Sequence, residues 1–222
     1  MANERIPFEP SFIYHVFHHG NAADNIFNTD DNYYYFLKKY QQYIVPIADT
    51  YAYALMPNHF HFAIKIKDTD ELKTAFARKA GIKKYEKYIY SAEELSVLKN
   101  LILEESLSKL ISNQFGHFLN AYAKAYNKGN NRIGSLFRNN IEREIVTNDD
   151  YFRNLIKYIH NNGVKHEFVE NSFDWPHTSI HAYKSNRPSL LKREDIFNLF
   201  NSPSDFWNFH ENKEIEYNNC FC

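Results

Sequence analysis

TYAYALMPNHFHFAIKIK, residues 50–67, is the stretch on which the fold turns. Thr50 to Met56 is rich in aromatic residues with alternating character and reads as a strand. Pro57-Asn58 is a turn signal. His59 to Lys67 alternates again, so the two runs make a hairpin. Side chains at i and i+2 share a face of a strand. Phe60, Phe62, Ile64 and Ile66 therefore form the core face, and His59 and His61 point together to the other face.

Working outward, Ser11 to His19 is β-branched and aromatic and reads as a first strand, ended by Gly20-Asn21. Thr29, Asp30 and Asp31 suit a helix start, followed by Tyr33, Phe36, Leu37, Tyr40 and Ile44 at helical spacing and by Pro46. From Thr69 to about Tyr126 the pattern is helical, with a break near Gly81. Phe115, Phe118, Leu119, Tyr122 and Tyr126 mark one face of that stretch. Ile133 to Val146 reads as a short extended stretch. Thr147, Asn148 and Asp149 cap a helix from Tyr151 to Asn162, and Gly163 suits its C-terminal end. Hairpins mixed with helices in this order imply an α+β fold: an antiparallel sheet with helices packed on one face. The expected organisation is one domain, residues 1–184, and a helical C-terminal extension or tail, residues 185–222.

Composition sets limits. The chain has 222 residues, with 44% hydrophobic and 24% charged, as expected of a soluble globular protein. Seventeen Tyr and 19 Phe suit a core and also suit stacking on unpaired bases. Net charge is −1, unlike a strongly basic nucleic-acid binder, but cations cluster locally. Lys73 to Lys87 carries six Lys/Arg against one Glu, and His117 to Arg143 carries five against one. Only Cys220 and Cys222 occur, so no disulfide framework exists and a reducing cytoplasm is the expected compartment. No signal peptide or membrane span is expected.

Two imidazoles on one strand face can supply two ligands of a divalent ion. With 11 His, roughly half a His-x-His is expected by chance, so this spacing says little alone. Its context says more. Met56-Pro57-Asn58-His59-Phe60-His61 resembles the metal motif of the HUH-type single-tyrosine transposases, and within them the REP-associated tyrosine transposases. Tyr14-His15-Val16, His19-Gly20-Asn21, Asn120-Ala121-Tyr122-Ala123-Lys124, Gly134-Ser135-Leu136-Phe137 and Tyr158-Ile159-His160-Asn161-Asn162 extend the resemblance over about residues 11–183.

The resemblance implies a ferredoxin-like sheet and an enzyme that nicks and joins single-stranded or hairpin DNA. It implies Mg²⁺ or Mn²⁺ held by His59, His61 and Asn162, with Tyr158 as nucleophile forming a 5′-phosphotyrosine. Helical geometry offers a check. The stripe Phe152, Leu155, Ile156, Ile159 leaves Tyr158 about 110° off its centre, a flanking position. Tyr151, two turns back, is the alternative nucleophile. Lys124, Arg132, Arg138 and Arg143 are candidate DNA contacts. A monomer or homodimer is expected. Two features depart from the family: Asn162-Gly163-Val164 replaces Asn-Pro-Val, and Trp175-Pro176-His177-Thr178-Ser179 is a looser form of Trp-x-Trp-Ser-Ser. Other readings are a domesticated hairpin-DNA-binding protein without turnover and a small metal-dependent hydrolase.

Overall fold

The computed structural model describes residues 6–79, 104–138 and 140–211. Its centre is a four-stranded sheet in the order β2-β3-β1-β4, formed by β1 (Ile13–His19), β2 (Ala48–Met56), β3 (His59–Ile66) and β4 (Glu142–Ile145). All three pairings are antiparallel. Met56 pairs with His59 across the Pro57-Asn58 turn, so the expected hairpin forms with the expected register. With α1 (Asp30–Tyr43) after β1 and α2 (Thr69–Lys79) and α3 (Glu104–Gly129) between β3 and β4, this is the ferredoxin-like arrangement. Residues 80–103 of the expected helical stretch, with most of the basic run Lys73 to Lys87, lie outside the described residues, as do Cys220 and Cys222.

One sheet face is the main core. Tyr14 and Val16 of β1 join Phe60, Phe62, Ile64 and Ile66 of β3 beneath Phe36 and Tyr40 of α1 and Phe115, Phe118 and Tyr122 of α3. Burying each such side chain stabilises by about 1.5–3 kcal/mol. Tyr40 stacks on Phe62 at 4.3 Å and 5°, and Phe36 meets Phe118 at 4.8 Å. The α1 start is held by Asn32 Oδ1, which accepts the Asn28 N–H at 2.9 Å.

The helices inside the ferredoxin-like unit do pack on one face, but the other face is covered as well. After β4 the chain forms α4 (Asp149–His160), which lies across β2 and β3. Asn148 Oδ1 caps it by accepting the Tyr151 N–H at 2.8 Å, and Asp149 and Asp150 occupy its first turn. Small residues on the sheet, Ala52, Ala54 and Ala63, let Phe152, Leu155, Ile156 and Ile159 approach closely. The short helices α5 (Asn162–Lys165), α6 (Ile180–Lys184), α7 (Arg193–Phe197) and α8 (Pro203–Glu211) follow. Tyr183, Ile196 and Phe206 from α6, α7 and α8 complete this second core. His160 links the layers: its Nδ1 meets His210 Nε2 at 3.0 Å and its Nε2 meets Ser179 Oγ at 2.9 Å.

Candidate metal and nucleophile site

Strand alternation puts Ile13, His15, Phe17 and His19 of β1 and His59, His61 and Ala63 of β3 on the α4 face. The expectation that His59 and His61 share a face holds. That face is not open surface: His59 is 3% exposed and His61 1%. Tyr158 is also buried, at 1%, where its distance from the helix stripe implied a flanking position. The reason is the second layer. A residue 110° from the stripe would meet solvent beside a bare sheet, but here α4 lies along the two histidine-bearing strands, and the Tyr158 ring packs on their imidazoles. It meets His61 edge-on at 5.4 Å and His15 at 6.0 Å.

Asn162 starts α5 after the α4 helix ends, and its side chain reaches β3. His59 Nε2 lies 3.1 Å from Asn162 Oδ1, across 103 residues of sequence. His59 Nδ1 lies 2.7 Å from Asn58 Oδ1 and must carry the proton to donate there. His59 Nε2 then bears a lone pair, aimed at a carbonyl oxygen that is also an acceptor. Asn162 Nδ2 is buried and has no hydrogen-bond partner among the described residues. Two facing acceptors are satisfied by a cation, or, without one, by a half-turn of the Asn162 amide that brings its Nδ2 donor to His59 Nε2. Cis ligands of an octahedral ion at about 2.1 Å stand about 3 Å apart, so the spacing fits Mg²⁺ or Mn²⁺.

The pKa directions agree. Burial pushes His59 down to about 3, despite the Asn162 contact. Burial, then the neighbouring His15, hold His61 well below its usual value. Both rings are neutral near pH 7 and can act as ligands. Among the described residues no group of three or more His, Cys, Asp or Glu is placed to hold a metal.

Strand register adds residues that the sequence did not single out. His15 Nε2 lies 2.9 Å from His61 Nδ1, which leaves His61 Nε2 for another ligand. His15 Nδ1 stands 3.9 Å from Glu144, whose other neighbour is the Tyr151 hydroxyl, donating at 3.0 Å. Tyr151 thus contacts Glu144, while Tyr158 contacts the histidines. Lys165 Nζ lies 3.3 Å from the Tyr158 hydroxyl and 4.6 Å above its ring. The alternation of β1 already put His15 on this face, but its meeting with His61 required the β1–β3 pairing. Gly163 has a different role from the one expected. It has no positive φ; instead, a Cβ there would come within 2.9 Å of Trp175 Cβ.

The candidate DNA contacts separate. Arg132 binds Asp24 at 2.5 Å and the Ser135 carbonyl at 2.9 Å, which closes the loop after α3. Arg143 donates to the Ile6 carbonyl and lies 4.1 Å above the Phe8 ring. Lys124 and Arg138 are exposed and, with Arg143, line one groove of about 480 Å³.

No protein-family model and no curated protein matches the chain in sequence. Among solved structures, a REP-associated tyrosine transposase bound to a REP hairpin is similar in fold, with a TM-score of 0.50 at 12% identity over 85% of this chain and 89% of that one. Among the described residues no helix is long and apolar enough to cross a membrane.

Proposed function

We propose that the chain is a metal-dependent enzyme that nicks and rejoins single-stranded DNA at or near a hairpin, with Tyr158 as nucleophile. The observation that carries this reading is the convergence of His59 Nε2 and Asn162 Oδ1 at 3.1 Å, with the Tyr158 ring packed on His61 of the same strand. The fold shared with a hairpin-bound transposase, at 12% identity, is consistent with it. His59, His61 and Asn162 would hold Mg²⁺ or Mn²⁺, which when bound withdraws charge from the scissile phosphate.

The protein's own residues supply the rest. The Tyr158 oxygen bonds to phosphorus as the phosphorus–O3′ bond breaks; the phenol gives up a proton and the 3′ oxygen takes one up. The phosphotyrosine keeps the bond energy, so another 3′-OH can reverse the step without ATP. The Lys165 ammonium, 3.3 Å from the phenol, is placed to offset negative charge developing on that oxygen. Tyr158 is 1% exposed, so a phosphate must draw the exposed Lys165, at the end of α5, away from the ring before attack.

That burial favours a second reading, hairpin binding without turnover. One experiment separates the two. The protein is incubated with a single-stranded hairpin oligonucleotide and Mn²⁺, and a covalent adduct is sought on a denaturing gel. Wild type forms one and Tyr158→Phe does not. Binding without an adduct supports the second reading, and an undiminished adduct in Tyr158→Phe overturns the assignment of the nucleophile.

A further inference from the structure

On the opposite sheet face from the His pair, the groove of about 480 Å³ runs between α3, the end of β1 and residues 134–138, 140, 141 and 143. One side is a face of α3 that carries small or amide side chains, including Gly116 and Asn120. The far side is Phe137 and Arg138, and Lys124 stands at the rim. No Asp or Glu is among the lining residues. Part of the floor is His18, 1% exposed; neither of its ring nitrogens makes a well-formed hydrogen bond among the described residues, although the Arg138 backbone acts on the imidazole as an acceptor. Phe137 stacks on that imidazole at 5.4 Å and 20°.

A buried imidazole without a well-formed hydrogen bond is unfavourable, so a ligand group that meets it is favoured. Burial pushes His18 down to about 4, so at neutral pH it presents one donor and one acceptor. This pairing suits the edge of a heterocycle. The apolar floor suits its faces, and the cations at the rim suit a phosphate. Gly116 agrees with this. It sits inside a 26-residue helix, where glycine is unfavourable, yet a Cβ there would meet nothing within 4 Å. The space above it is open.

We propose that this groove is a binding site for one unpaired nucleotide, its base over His18 and its phosphate between Lys124 and Arg138. In the setting of the proposed function, from which the DNA source follows, the nucleotide belongs to the strand being cut. The Arg138 N–H donates to the His19 carbonyl at 3.1 Å, and the His19 ring lies 5.0 Å from that of His59. Consecutive residues of β1 thus serve the two faces, His18 the groove and His19 the metal side. A strand rounding the end of β1 can place one base in the groove and a phosphate at the His pair.

The test uses a fluorescein-labelled hairpin oligonucleotide with and without an unpaired tail, and free deoxynucleoside monophosphates, all measured by anisotropy or competition. Two variants are compared with the full-length wild type. Gly116→Trp fills the groove from an open helix position, and His18→Phe keeps the stacked ring but removes its nitrogens. Thermal melts confirm that both fold. Both variants are expected to weaken binding of the tailed hairpin at least tenfold and of the tailless hairpin less than twofold. Monophosphate binding that the same variants abolish, with tailed DNA unaffected, supports the nucleotide site and assigns it to free nucleotides. Wild-type affinity of both folded variants for every probe overturns the site, and does so without touching the nuclease reading if the Tyr158 adduct still forms. Failure of the adduct, with the tail-dependent loss intact, refutes the nuclease and leaves the groove standing.

Discussion

Lowering the pH should destabilise this protein through its buried neutral histidines. Burial holds His18 and His210 each to about 4, against 6.5 for a free imidazole. The sign follows from linkage. A histidine with a depressed folded pKa binds its proton only on unfolding, so its contribution is complete above about pH 6.5 and is lost as the pH falls towards 4. At about pH 5 the unfolded form gains about 30-fold in statistical weight per histidine, or about 2 kcal/mol. The two together cost about 4 kcal/mol, a large share of a typical stability of about 5–15 kcal/mol. His160, also held well below its usual value by burial, acts in the same direction. The assay is urea unfolding in EDTA at about pH 7.5 and about pH 5, followed by far-UV circular dichroism. His18→Phe isolates the share of one histidine, because that ring has no well-formed hydrogen bond among the described residues to lose. The variant should show about 2 kcal/mol less acid destabilisation than wild type. Equal acid loss in the two proteins would refute the reasoning, since His18 would then not be neutral and buried.

Two further outcomes follow from the site. Asn162→Ala should abolish the rise in melting temperature that Mn²⁺ gives the wild type, while the melting temperature in EDTA falls only slightly because the lost Nδ2 had no partner among the described residues; an unchanged Mn²⁺ response excludes Asn162 as a ligand. Gly163→Ala should destabilise by about 1–3 kcal/mol, because its Cβ would come within 2.9 Å of Trp175 Cβ, and a melting temperature equal to wild type would show that Trp175 yields freely.

Much of the scaffold was readable in the chain. Alternation in β3 sorted His59 and His61 from Phe60 and Phe62, and the Pro57-Asn58 turn set the hairpin register. Helical spacing correctly selected Phe115, Phe118 and Tyr122 for burial. These are signals of period and turn, carried by residues a few positions apart. The same spacing misplaced Tyr158, because the angular argument assumed a bare second sheet face. The role of Gly163 was misread for a related reason: its neighbour Trp175 is close in space but lies across a loop.

What the sequence determined by itself is therefore local: which residues form strands and helices, which face each side chain takes, and which types of side chain can carry the chemistry. The tertiary structure decided which of those faces meet. The β1–β3 register brings His15 to His61, the crossing of α4 buries Tyr158 against both, and the α5 turn carries Asn162 to His59. The same sheet leaves the His18 nitrogens without a well-formed hydrogen bond among the described residues, in the floor of a groove on its other side. The physical reason is that backbone geometry fixes the direction of a side chain within a few residues, whereas contact between distant residues depends on the packing of whole layers.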